Sequence, residues 1–129
     1  MSDVTRVHLP DLEDAAPKSG VDDVSFRGAR DALGCDKSGL SLQSVAAGAR
    51  QPFGHRHDEE EEIYLVLKGA GTMRAGTEEV ALQALDAVRV APGVTRAIEA
   101  GPQGIEFVAF GSPGGGHGDG EMVPGWWGD

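Results

Sequence analysis

Gly54-His55-Arg56-His57-Asp58-Glu59-Glu60-Glu61-Glu62-Ile63-Tyr64-Leu65-Val66-Leu67-Lys68-Gly69 joins two histidines, a run of carboxylates and a short apolar segment closed by glycine. In extended backbone, side chains alternate between faces, so His55 and His57 point the same way. Two imidazoles on one strand face are a ready pair of nitrogen ligands. A carboxylate at the start of the next strand completes a two-histidine, one-carboxylate set, with positions left open for water or substrate. Asp58 to Glu61 form the intervening turn. Most of these adjacent like charges are expected in solvent, because they cannot all be buried without partners. Glu62 alone abuts the apolar strand and is best placed to face inward. Tyr64 and Val66 then share its face, and Ile63, Leu65 and Leu67 take the other. Both faces are apolar, which implies that the outer one is also covered, by a second subunit or by the terminal arms.

Outward from this stretch the pattern is short strands and turns. On the N-terminal side, Leu40 to Ala46 alternates as a strand, Val24 to Gly28 reads as another, and Asp31 to Asp36 as one helical turn or a loop. On the C-terminal side, Gly69 and Gly71 fit a tight turn into Thr72 to Arg74, and Ala75-Gly76-Thr77 a hairpin. Strands follow around Glu79 to Leu82 and over Asp86 to Val90. The last two, Thr95 to Glu99 and Gly104 to Phe110, are separated by Gly101-Pro102. This spacing predicts an all-β sandwich or small barrel over residues 25–110. Residues 1–24 form an extended acidic arm anchored by Val7, Leu9 and Leu12. Residues 111–129 form a glycine-rich linker and a tail in which Trp126 and Trp127 dock on the barrel or across a dimer, or lid the pocket.

The central stretch resembles the first motif of the cupin family, in which His-x-His is followed after three or four residues by Glu, then by six residues and Gly. Here four residues separate His57 from Glu62, and six separate Glu62 from Gly69. Six residues separate Gly48 from His55, where the motif has five. The family's second motif runs Gly, five residues, Pro-x-Gly, two residues, His. Against it stand Leu85 for the leading glycine, Ala91 for the proline, Gly93 in place, and Arg96 for the histidine. The resemblance covers residues 38–110. It implies a double-stranded β-helix, a jelly-roll-like barrel, commonly dimeric. It also implies a divalent transition metal (iron, manganese, nickel or zinc) on His55, His57 and Glu62.

Arg96 keeps its proton and has no lone pair, so it cannot be the fourth ligand. Two roles stay open for it: an ion pair with Glu62 that satisfies the carboxylate without metal, or an anchor for a small anionic ligand at the pocket mouth. Tyr64 is either core packing or a pocket hydroxyl. His8 and His117 are the remaining histidines, each a candidate to replace the missing ligand, with a solvated histidine as the plainer reading.

Composition narrows the partners. A formal net charge of -10 leaves no basic patch for nucleic acid or an anionic membrane surface. The single cysteine, Cys35, forms no intramolecular disulfide, and Met1 to Arg6 is polar and lacks an apolar signal core. A cytoplasmic location follows as the default. Three function classes fit: a metal-dependent dioxygenase or isomerase on a small polar metabolite, a barrel that binds a small anion or metal without turnover, and a metal-free structural dimer.

Overall fold

The computed structural model describes residues 3–112 and 120–128. Among these, the strands are β1 Val24–Gly28, β2 Gly39–Val45, β3 Gly54–His57, β4 Glu62–Ala75, β5 Glu78–Gln83, β6 Ala87–Val90, β7 Arg96–Gly111 and β8 Gly120–Val123. One helical turn, α1 Arg30–Leu33, lies between the first two. All the pairings are antiparallel, and they form a single curled sheet, as the all-β barrel reading requires.

The long strand β7 is the spine. β4 follows it on one side from Glu62↔Gly111 to Ala75↔Arg96. On its other side β2 takes the C-terminal half, and β3 meets it where His55 pairs with Arg96. β5 and β6 both attach to β4, and β1 attaches to β2.

Two expected breaks are absent. Gly69 and Gly71 do not reverse the chain, and Gly101-Pro102 does not divide β7 into two strands. Each long strand bends through its glycines instead. Gly69 has φ +79°, and a Cβ there would overlap the Gly104 carbonyl. A register shift between Gly69 and Gly71 puts residues 101–104 opposite Ala70 alone. Pro102 sits in that irregularity, where its missing N–H leaves no ladder bond unmade.

The inward faces of these strands make the core, in which Tyr64, Val66, Met73, Ile98, Ile105 and Phe107 are buried. Burying each such side chain contributes about 1.5–3 kcal/mol. Glu62, Tyr64 and Val66 face inward as their alternation predicts. Ile63, Leu65 and Leu67 stand exposed on the outer face beside Phe110, so the described parts of the arms do not bury them.

The N-terminal arm runs along β1. Ala15 N–H donates to the Phe26 carbonyl (2.8 Å), and Arg27 donates to the Leu12 carbonyl. Asp14 Oδ1 accepts from Ala16 N–H (3.0 Å) and Phe26 N–H (2.9 Å). Those bonds from Phe26 and Ala16 hold its carboxyl below the usual range. Val7, Leu9 and Leu12 are half-buried.

At the other end, residues 120–123 are a strand rather than the end of a linker. β8 pairs with β3, setting Met122 against His55 and Gly120 against His57. The tryptophans dock on the barrel. Trp127 Nε1–H donates to the Gln51 carbonyl (2.6 Å), with the Arg50 and Arg74 guanidinium carbons 4.9 and 5.1 Å from its ring. Trp126 rests where a Cβ on Gly54 would come within 2.8 Å of it.

Candidate metal centre

β3 presents His55 and His57 on one face, as its alternation requires, with their rings 5.3 Å apart and nearly perpendicular. Glu62 enters from the first position of β4. His55 Nε2 lies 3.4 Å from Glu62 Oε1, and His57 Nε2 lies 3.8 Å from Glu62 Oε2. One donor atom from each residue falls within 4.8 Å of the others. An ion bound at about 2.0–2.2 Å from nitrogen and carboxylate donors needs them roughly 3–4 Å apart; each histidine stands at such a distance from one Glu62 oxygen, and a small contraction would gather all three on one ion.

The tautomer of His57 also fits. Its Nδ1 lies 2.8 Å from Glu60 Oε2, which accepts the Nδ1 proton and leaves the Nε2 lone pair toward Glu62. Glu60 corrects the expectation for the acidic turn: it is 6% exposed, not solvated. Gly111 makes the room, since a Cβ there would overlap the Glu60 carboxylate. Nothing in a run of adjacent carboxylates distinguishes Glu60. The signal lies in the fold, which brings Gly111 of β7 over the turn.

Arg96 is fully buried. Its Nη2 donates to Glu62 Oε1 (2.6 Å), its Nε to Tyr64 Oη (3.0 Å) and its Nη1 to the Val94 carbonyl (3.0 Å). The contact with Glu62 is one hydrogen bond rather than a two-pronged pair, and Glu62 Oε2 still faces His57. Tyr64 Oη also lies 3.2 Å from His55 Nε2. Arg96 therefore sits behind the carboxylate, where it clamps Glu62 and Tyr64 from the core.

The electrostatics follow from this packing. Burial alone would raise the Glu62 carboxyl, but hydrogen bonds from His55 and Tyr64, together with the Arg96 charge, outweigh it and bring it down to about 2. Burial, then the Glu62 charge, pushes the Tyr64 phenol well above its usual value. Burial would lower Arg96, but its Tyr64 and Glu62 partners outweigh that and raise it. Glu62 is thus ionised and Tyr64 neutral at any working pH.

A cavity of about 420 Å³ has His55, His57 and Glu62 together in its lining. Arg96 and Tyr64 are not among its lining residues, and neither are the tryptophans. Met122 of β8 is, as are Ser41, Gln43 and Gln51, none of which its local sequence marks out. His8 is exposed on the arm and outside the metal-ligating group, and His117 lies outside the described residues.

The family model for the cupin domain matches residues 41–106. Among solved structures, a cupin protein from Bacteroides fragilis is 27% identical, with a TM-score of 0.72 over 91% of this chain and 90% of its own. The polyketide cyclase RemF from Streptomyces resistomycificus is 22% identical, with a TM-score of 0.71 over 93% of this chain and 84% of its own. A sugar phosphate isomerase from a cupin superfamily, from Silicibacter pomeroyi, is 19% identical, with a TM-score of 0.69 over 84% and 75%. No curated protein matches the chain. The family match runs from β2 into β7 and takes in the whole His55, His57 and Glu62 constellation; the chain belongs to the cupin family.

Proposed function

We propose that this chain is a metal-dependent enzyme of the isomerase or dioxygenase type, acting on a small molecule held in the cavity above His55, His57 and Glu62. The observation that carries the proposal is the convergence of three metal-ligating atoms in the lining of an open cavity. Iron, manganese, nickel or zinc suits two imidazoles and a carboxylate. Such an ion, when bound, supplies Lewis acidity toward a substrate oxygen or, if redox-active, chemistry with dioxygen. The chain's own residues hold the site ready for it. Glu60 fixes His57, the hydrogen bonds of His55 and Tyr64 together with the Arg96 charge keep Glu62 ionised, and Met122 stands beside His55 on the cavity lining. The fold itself does not choose the reaction, since similar barrels include a polyketide cyclase and a sugar phosphate isomerase. The test is metal content after purification without a tag, compared with His57→Ala.

One observation favours a second reading. Arg96 already neutralises Glu62 at 2.6 Å, which satisfies the buried carboxylate without metal. A metal-free barrel would then be a structural dimer.

Either reading includes a homodimer. Ile63, Leu65, Leu67 and Phe110 form an exposed apolar strip on one sheet face, suited to a second copy. Sedimentation equilibrium would find a dimer that Leu65→Lys dissociates; a monomeric wild type removes this part of the proposal. A cytoplasmic location remains part of the same proposal. Among the described residues no helix is long and apolar enough to cross a membrane.

A further inference from the structure

The cavity carries a polar strip whose direction is fixed by one backbone proton. Ile98 N–H can only donate, so the Gln51 atom 2.9 Å from it is Oε1. Gln51 Nε2 then faces Gln43 at 3.3 Å and must meet Oε1 there. That turns Gln43 Nε2 toward Ser41 Oγ, 3.0 Å away. Ser41 and Gln43 are buried, and all three residues line the cavity. Each amide nitrogen uses one hydrogen within this chain of bonds and retains a second. Ser41 Oγ accepts, so its own proton remains to be donated. The strip therefore presents donors and calls for an acceptor oxygen.

The other walls define the rest of the ligand. Val24, Phe26, Pro52, Phe53 and Met122 supply apolar surface. The charged side chains on the lining are Glu62 and Glu121, and no lysine or arginine is among them. Arg96, the cation nearest Glu62, is fully buried with its bonds made to Glu62, Tyr64 and Val94. Beyond the ion that His55, His57 and Glu62 would hold, a phosphate or free carboxylate would thus meet no counter-charge from a lysine or arginine of the walls, and the chain's net charge of -10 disfavours it. The volume of about 420 Å³ lies within the range for pockets that enclose a small organic ligand.

We propose that the cavity takes an uncharged, largely apolar ketone, with an aromatic ketone as the type, and that Ser41, Gln43 and Gln51 select and orient its oxygens. This rests on the reading of His55, His57 and Glu62 as the reactive end of the same cavity. It replaces the polar metabolite expected from sequence with a ligand that matches the walls.

The experiment is a titration of the full chain with 1-hydroxy-2-acetonaphthone and, separately, with glucose 6-phosphate. Each is run with stoichiometric zinc and again with EDTA, and the metal content is measured alongside. The ketone is expected to bind in both conditions and more tightly than the sugar phosphate. Gln43→Leu is expected to weaken it about tenfold, the loss of roughly one hydrogen bond. Ser41→Ala, a smaller change that keeps the fold, is expected to weaken it in the same direction, and Met122→Trp to block it by filling the cavity. Tighter binding of glucose 6-phosphate, no binding of the ketone, or ketone binding indifferent to both Ser41→Ala and Met122→Trp would overturn the proposal. Ketone binding in EDTA by a protein that takes up no metal would sink the metalloenzyme reading and leave this one standing. Metal uptake without ketone binding would do the reverse.

Discussion

Glu60 Oε2 lies 2.8 Å from His57 Nδ1, and Gly111 gives it the space to be there. A carboxylate on the far nitrogen of a ligating histidine fixes its tautomer and raises its basicity. Glu60→Ala is therefore expected to weaken zinc binding about 10- to 100-fold. Gly111→Ala should act the same way by expelling the carboxylate. Competition with a chromophoric chelator measures both. Affinities equal to wild type would show that His57 needs no such support.

Arg96 is the sole guanidinium bonded to Glu62 among the described residues, and both groups are largely buried. Removing one partner of a buried pair leaves the other charge uncompensated. In the metal-free protein, Arg96→Leu should cost about 3–5 kcal/mol in urea unfolding. Arg96→His, which restores the second-motif histidine, should bind zinc more tightly than wild type. A loss below about 1 kcal/mol in Arg96→Leu would mean that water reaches Glu62 freely.

Glu62 titrates near 2 in the folded chain, against 4.5 for an ordinary glutamate. A depressed carboxyl stabilises the fold fully above its unfolded value, and the contribution disappears as pH falls through the folded value. The metal-free protein should therefore lose stability as pH drops from about 4.5 toward 2. Asp14, also held low, acts in the same direction. Thermal unfolding across that range should be less steep with pH in Glu62→Gln than in wild type. Parallel curves would assign the acid sensitivity elsewhere.

Leu85 has φ +72° and is 78% exposed. It occupies the leading glycine position of the second cupin motif, and the backbone still takes the left-handed turn that glycine adopts freely. A non-glycine residue there costs about 1–2 kcal/mol, partly offset by the lower entropy of its unfolded state. Leu85→Gly is expected to raise stability by about 0.5–1 kcal/mol in urea unfolding. A destabilised variant would show that Leu85 makes a compensating contact.

The strand pattern and the inward residues were legible because alternation is local: Glu62, Tyr64 and Val66 fall on one face and Ile63, Leu65 and Leu67 on the other. The candidate trio was legible as a group because His55, His57 and Glu62 lie close in sequence, and the fold brings their donor atoms within 4.8 Å of one another. What could not be read depends on long-range register. β4 and β7 are continuous because each bends at the irregularity of the other, which no single glycine announces. Arg96 reaches Glu62 because it is the register partner of His55. Glu60 is buried because Gly111 returns over it, and β8 exists because β3 leaves an edge open to the tail.

The proposed function stands on a divalent transition metal held by His55, His57 and Glu62. Elemental analysis of untagged protein, before and after incubation with iron, manganese, nickel or zinc, tests it most directly when run beside His57→Ala. A first-row metal near one per chain is expected in wild type, and its loss in the variant. Absence of metal from both proteins after incubation would contradict it, and would leave Arg96 and Glu62 as a structural ion pair.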